Sequence, residues 1–453
     1  MRFTASPGRT LVIPPNQRWR VMRGIGLLSF SLLLVAFIAL SLGPPSSAIK
    51  PAARPARGQI LAADDTVLAT TVNGRRRYPQ GTLAGALVGF TGTDGGLSGL
   101  EASQEARLAR GEDLHLTIVP AIQVSAEANL RAAVKEHDAS GGAIIVLNSR
   151  TGAILAAAND ALADPNHWKD TTMQTWRNRA FQDAYEPGSE MKALVVAAAL
   201  DAHLTRPEAV YDTPMSRRVG RFTIHDAVPH PGQLTVQGIL RYSSNVGMSL
   251  IAQALTAARL HDVLVRFGIG QPLPALGTFA AQGRLNPSPT WGEIGLATNA
   301  FGQGVTTTTV QFAAAFNTIA NDGVYVPPTL ILGQASAPAR RLLSPATAHA
   351  MDELLHHVIN DGIPHAARLR GYGLAGKTGT AQTVVNGRYS PTEYNSTFTG
   401  FFPADAPQYT ISVTLFRART RYQGSQAAAP TFRSVAAAVA SNSGMAPVQP
   451  GRR

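Results

Sequence analysis

The chain has 453 residues, 45% of them hydrophobic, which is enough for two or three domains with sizeable cores. It contains no cysteine, which excludes disulfides, thiolate catalysis, cysteine zinc sites and a lipid anchor on cysteine, and suits a place outside the cytoplasm. The net charge of +12 is carried by arginine, because only five lysines occur: Lys50, Lys135, Lys169, Lys192 and Lys377.

Residues 1–23 hold five arginines, three prolines and no acid, and read as a cytoplasmic tail. Gly24 to Gly43 is 20 residues long without a charge, the length of a bilayer core. It reads as a retained transmembrane helix in preference to a signal peptide cut after Ser46-x-Ala48. Lys50, Arg54 and Arg57 follow the span closely, so the positive-inside bias is slight. Arginine clusters at 2–23, Arg75-Arg76-Arg77 and Arg452-Arg453 point to an anionic membrane surface. No recognition motif or interleaved aromatics accompany them, so no nucleic acid is expected. Residues 44–56, rich in Pro and Ala, form an extended linker.

Residues 57–135 read as a small membrane-proximal domain. Arg57 to Leu61 predicts a short strand, Asp64-Asp65 a turn and Val67 to Val72 a second strand. Gly95 to Glu101 enters a helix, Leu114 to Ile118 alternates, and Pro120 starts a helix to about Lys135. The main domain, 136–445, opens with Ala143 to Leu147, a turn at Asn148 to Gly152, and Ala153 to Ala158, a β-hairpin. Residues 177–360 read as mostly helical with loops. Strand signals return at Lys377 to Thr383, Thr397 to Phe402 and Tyr409 to Phe416, and Ala427 to Ser441 reads as a closing helix. Strands at both ends with helices between predict an α+β fold, one antiparallel sheet between helix layers in an α/β/α sandwich.

Three polar clusters stand out in the main domain. In Pro187-Gly188-Ser189-Glu190-Met191-Lys192, Ser189 sits where a wholly apolar helix would begin. Lys192 lies one turn on, on the same face. A hydroxyl beside a buried amine is an activated-nucleophile arrangement. An N-cap serine with a surface lysine is the plain alternative. A second Ser-x-x-Lys, Ser47 to Lys50, has no apolar helix behind it and reads as chance. The other clusters are Ser243-Ser244-Asn245 and Lys377-Thr378-Gly379-Thr380. Each is common alone. In this order they form S-x-x-K, S-x-N, K-T-G, with two of the five lysines inside them.

That ordered set resembles the serine penicillin-recognising signature, and the chain resembles the class B transpeptidases among the penicillin-binding proteins. The weaker matches are Arg57-Gly58-x-Ile60, Gly99-Leu100-Glu101, Leu116-Thr117-Ile118 and Ile122-Gln123. Two departures occur. Ala62-Ala63-Asp64-Asp65 stands where a turn of Asp-Arg-Asn-Gly type is usual, and Glu190 follows the nucleophile where a small or apolar residue is usual. A carboxylate there is expected to raise Lys192 and weaken it as a base, unless the side chain points to solvent.

The resemblance implies a penicillin-binding and serine β-lactamase-like fold and acyl transfer at D-Ala-D-Ala in stem peptides. Ser189 is then the nucleophile, Lys192 its base, Ser243 a proton relay, and Asn245 a partner of Lys192 or substrate. Lys377 and Thr378 hold the substrate carboxylate, Gly379 completes the motif, and the N–H groups of Ser189 and Thr380 form the oxyanion hole. No metal and no cofactor are called for. Implied partners are stem peptides and their lipid-linked precursor, β-lactam antibiotics, and a membrane glycosyltransferase of the shape, elongation, division and sporulation (SEDS) type with divisome or elongasome proteins. The Ser-Ser-Asn-Val-Gly form of the second motif leans towards division. A class A β-lactamase is disfavoured because no Glu occurs between Val246 and Trp291. A bifunctional polymerase lacks room before Gly141, and a β-lactam sensor lacks room for a signalling domain in residues 1–23. A D,D-carboxypeptidase uses the same residues with water as acceptor.

Overall fold

The computed structural model describes residues 15–41, 56–363 and 365–447. Most of the expected tail, the linker 44–56 but for Ala56, the Ser47 to Lys50 motif and Arg452-Arg453 lie outside the described residues. Two compact units result, residues 1–55 and residues 56–453. The first contains a helix, Pro15–Ser41, whose apolar side chains from Leu27 to Ile38 are exposed. Among the described residues no helix is long and apolar enough to cross a membrane. Gly43, the end of the expected span, falls outside them.

The second unit opens with a small sheet of β1 (Ile60–Leu61), β2 (Val67–Val72), β3 (Arg75–Arg77) and β4 (Leu114–His115), in the order β3-β2-β1-β4. The weak motif residues explain one another here. Arg57 donates to Glu101 Oε2 at 2.8 Å and to Glu105 Oε2 at 2.7 Å. Arg76 donates to the other Glu101 oxygen at 2.7 Å. Glu101 is fully buried, so two guanidinium groups are what make its charge tolerable. Gly58 is required by space, since a Cβ there would stand 2.0 Å from the Glu112 carbonyl oxygen.

The main sheet follows from β5 (Gly141–Asn148) and β6 (Ile154–Asn159). Residues between them and the last strands make three short ribbons: β7 (Val210–Asp212) with β10 (Gln233–Thr235), β8 (Ser216–Val219) with β9 (Phe222–His225), and β11 (Val324–Tyr325) with β12 (Arg340–Arg341). Then β13 (Ala375–Val385), β14 (Arg388–Phe402) and β15 (Tyr409–Ala418) complete the sheet. Its order is β13-β14-β15-β5-β6, antiparallel throughout. Both faces are covered, which is why β5 reads as an unbroken apolar run. Ile144 and Val146 pack under helices Pro120–Glu136 and Ala428–Asn442, while Ile145 and Leu147 face helix Thr309–Ala320 and its neighbours. The α/β/α sandwich expected from the sequence is present. Side chains from the Leu116 to Gln123 segment join the two sheets: Thr117 Oγ1 donates to Ile154 O at 2.6 Å, and Gln123 bonds both the N–H and the carbonyl of Ala157.

Two features differ from the sequence reading. The ribbons β7 to β12 lie in the stretch read as mostly helical; with two to four residues each, they are too short to show alternation. Strand β14 starts at Arg388, nine residues before the apolar stretch that announced it. Its first half is exposed and contains Pro391, and its pairing with β13 is set by an Asn386-Gly387 turn in which both residues have positive φ.

Candidate active site

The helix Met191–Asp201 forms the floor of the site. Every residue from Met191 to Leu200 is buried, and each large apolar one contributes roughly 1.5–3 kcal/mol. It does not begin at Ser189. A 3₁₀ turn, Gly188–Glu190, leads into it, with Gly188 at φ +57°. That turn is held from behind: Gly188 N–H donates to Gly302 O at 3.0 Å, and Gly302, at φ +82°, sits so close that a Cβ would stand 2.1 Å from the Gly188 oxygen. Ser189 is half-buried and faces a cleft of about 340 Å³.

Lys192 is fully buried one turn on. Its Nζ donates to Asn245 Oδ1 at 2.8 Å, to Ser243 Oγ at 3.2 Å and to the Ser243 carbonyl. Lys377 reaches the same Ser243 Oγ from β13 at 3.1 Å. All three motifs thus meet at one hydroxyl. Burial first, and the Lys377 charge second, push Lys192 well below the usual lysine range. A neutral amine, which can donate only two of these three bonds and keeps a lone pair, is what a base towards Ser189 requires.

Ser243 owes its position to backbone geometry. It ends helix Val236–Tyr242 in the left-handed region, φ 57°, and Ser244 then caps helix Asn245–Leu255 by accepting from Gly247 N–H at 2.9 Å. A residue not foreseen from the sequence holds this junction. The buried carboxylate of Asp226 accepts from Ser244 Oγ, from the Asn245 and Val246 N–H groups, and from His230 at 2.8 Å. An anion at a helix N-terminus is favoured by the exposed N–H groups and the helix dipole. Seventeen positions separate Asp226 from Ser243 in sequence, so only folding reveals the pairing.

The opposite wall is β13. Thr378 and Thr380 line the cleft. Lys377, expected to hold a substrate carboxylate, is only 2% exposed, with Nζ on Ser243 and on its neighbour's carbonyl. Its influence on a ligand is therefore through charge. Gly379 turns away: a Cβ there would meet Pro187 O at 2.4 Å and Thr397 Oγ1 at 2.3 Å, so glycine lets β13 press against the nucleophile turn. Two further pieces of the wall had no sequence signal. Phe301 and Gln303 enter from the loop after helix Glu293–Ala300, and Gly424 N–H donates to Thr380 Oγ1 at 2.9 Å from a loop that carries Tyr422, stacked on Tyr394 at 3.8 Å.

Glu190 corrects two expectations. It does not point to solvent but is wholly buried beneath β13 and β14. Its field falls on Lys377 and not on Lys192; the carboxylate that raises Lys192 is Asp226. Burial lifts the Glu190 carboxyl to about 8, and lowers Lys377 to about 8 against the pull of Glu190.

These features have counterparts in known proteins. Residues 142–437 match the penicillin binding protein transpeptidase domain, and residues 57–131 the penicillin binding protein A dimerisation domain. The chain is 32% identical over 408 residues to a probable peptidoglycan D,D-transpeptidase, PenA, of Neisseria meningitidis, covering 83% of this chain and 70% of that protein. It is 30% identical over 392 residues to the peptidoglycan D,D-transpeptidase FtsI of Escherichia coli, covering 80% and 66%. The structure of penicillin binding protein 3 from Mycobacterium tuberculosis complexed with ampicillin superposes with a TM-score of 0.82 at 31% identity, covering 88% of this chain and 98% of that one. With three motifs converging on Ser243, a transpeptidase domain matched over residues 142–437, and relatives at this identity, the chain belongs to the class B penicillin-binding proteins.

Proposed function

We propose that this chain is a peptidoglycan D,D-transpeptidase of cell-wall synthesis working through an acyl-serine on Ser189. The observation that carries the residue assignment is the shared hydroxyl: Lys192 and Lys377 both bond Ser243 Oγ, at 3.2 and 3.1 Å, beside the cleft that Ser189 faces. Lys192 removes the Ser189 proton, and Oγ attacks the carbonyl carbon of the D-Ala-D-Ala peptide bond. The oxyanion forms between the N–H groups of Ser189 and Thr380, each such donor being worth about 3–4 kcal/mol in acyl transfer. Ser243 passes the proton to the departing D-Ala amine. Thr378 and Thr380 bind the substrate carboxylate under the positive charge of Lys377. The amine of a neighbouring stem peptide then attacks the acyl-serine, restoring Ser189 and leaving a cross-link.

Residues 24–43 act as a single-pass anchor in the cytoplasmic membrane with the N-terminus inside. The uncharged run and the exposed apolar side chains of helix Pro15–Ser41 support this. The glycan strand comes from a SEDS-type glycosyltransferase, with divisome partners; the Ser-Ser-Asn-Val-Gly form of the second motif favours the division setting. β-Lactams acylate Ser189, as the ampicillin complex of a 31% identical protein suggests. A fluorescent penicillin should label the full-length protein, and Ser189→Ala should abolish labelling; persistent labelling would remove Ser189 from its role. Lipid-linked precursor and a polymerase should yield cross-linked dimers. Release of D-Ala without dimers would instead make the chain a carboxypeptidase.

A further inference from the structure

The buried carboxyl directly after the nucleophile has no part in the mechanism above. Glu190 lies on the 3₁₀ turn, with its side chain fully buried and outside the lining of the cleft. Its Cγ packs within 3.1 Å of the place a Gly379 Cβ would occupy. Its two oxygens form no hydrogen bond of normal geometry, although the Thr397 and Thr399 hydroxyls lie beside them on β14. Burying a carboxyl so incompletely satisfied costs on the order of 1–3 kcal/mol, so its presence against the motif strand calls for an account.

The two lysines supply one. Both are buried, and both donate to one hydroxyl oxygen. Two ammonium ions in that arrangement repel strongly at low effective dielectric, so the site favours a single positive charge. Where that charge resides decides catalysis: on Lys192 it removes the base, and on Lys377 it leaves the base free and attracts a carboxylate. The surroundings of the two amines are unequal. Asp226, the carboxylate near Lys192, already serves Ser244, two backbone N–H groups and His230. Glu190 lies beneath the strand that carries Lys377, its Cγ against Gly379 two residues on, and its field acts on Lys377. The other ionisable group facing Glu190 is Tyr185, itself buried and kept neutral, while Thr309, Ser412 and Thr414 line the same chamber with neutral hydroxyls.

We infer that Glu190 is a positioning residue for charge: buried beneath the strand that carries Lys377, it holds the K-T-G lysine cationic as pH rises into the alkaline range. The inference rests on the acyl-serine reading of Ser189. Glu190 acts only when ionised, and burial lifts it to about 8. Below that pH it is mostly neutral and Lys377 is cationic in any case. As pH rises through 8, ionisation of Glu190 raises Lys377 and keeps it cationic, and the alkaline limb of activity moves upward.

The test is the pH profile of acylation by a carboxylate-bearing fluorescent penicillin, using full-length protein. In Glu190→Gln, the ratio of wild-type to variant rate should be flat below pH 7 and rise about tenfold by pH 9, with the alkaline limb about one pH unit lower. Glu190→Asp, which keeps the charge, should restore the limb. A ratio flat across the whole range, or a limb that moves upward, would overturn the inference while leaving Ser189 as nucleophile, because labelling persists in either case. Loss of labelling in wild-type protein is the separate outcome that sinks the parent reading. If neither variant folds, Lys377 can be followed in wild-type protein by lysine-selective ¹³C labelling, since only five lysines occur. A second inflection near pH 8, as Glu190 ionises, is expected; one unperturbed transition would refute the coupling.

Discussion

Asp226 shows how a single buried side chain sets the second motif. Four donors converge on its two oxygens, and together they fix both the Ser243 turn and the start of the following helix. Asp226→Ala leaves the Ser244 hydroxyl and two N–H groups without their acceptor, each costing roughly 1–3 kcal/mol if it stays buried. It also removes the carboxylate that raises Lys192. We expect the acylation rate to fall about 10–100-fold through misplacement of Ser243 and Asn245, with a lower Tm, whereas Asp226→Asn should recover part of the stability because its Oδ1 can still accept. Equal rates in wild type and Asp226→Ala, measured by stopped-flow labelling, would show that the junction holds itself.

At the scale of elements, the cleft depends on backbones packed closer than side chains permit. The nucleophile turn is pressed from one side by Gly302 and from the other by Gly379, where a Cβ would stand only 2.1 and 2.4 Å, respectively, from the backbone oxygens of Gly188 and Pro187. Gly302 also sits at φ +82°, a conformation costly for any residue with a Cβ. Gly302→Ala is therefore expected to displace the Gly188–Glu190 turn, lowering stability by roughly 1–3 kcal/mol and acylation by more than tenfold. Thermal unfolding and labelling rates report the two effects separately. Gly387, at the exposed tip of the β13–β14 hairpin with open space around it, provides the contrast: Gly387→Ala bears strain from φ +76° but should leave labelling intact.

Over the whole molecule, several buried acids make stability depend on pH. Asp352, on helix Pro345–Asp361, is 8% exposed with one oxygen unbonded, and burial, aided by Asp322, lifts it to about 8. A carboxyl held above its unfolded value is a liability above pH 4. The unfolded chain then holds fewer protons than the folded one, so stability falls as pH rises from about 4 to 8 and levels off beyond. Asp352→Asn should remove that dependence, raising Tm at pH 8 by an amount equivalent to roughly 1–3 kcal/mol and hardly at all at pH 4. A Tm difference independent of pH would contradict this.

Much of this architecture was legible in the residues themselves. The strands β5, β6, β13 and β15, the helix after Pro120 and the last helix all carry continuous apolar runs or clear start signals, because their burial on one or two faces is written in local periodicity. The three motifs were legible because the chemistry needs specific side chains in a specific order. Tertiary structure alone decided what lies across space. Asp226 and Glu101 became anchors only when distant donors closed on them, and the Gly302 and Gly424 loops became cleft walls only when the sheet edge approached. It also decided the direction of Glu190. A one-dimensional string places that carboxyl next to Ser189, but the 3₁₀ turn sends it beneath the sheet, where low dielectric and the Lys377 charge give it a part that adjacency could not reveal.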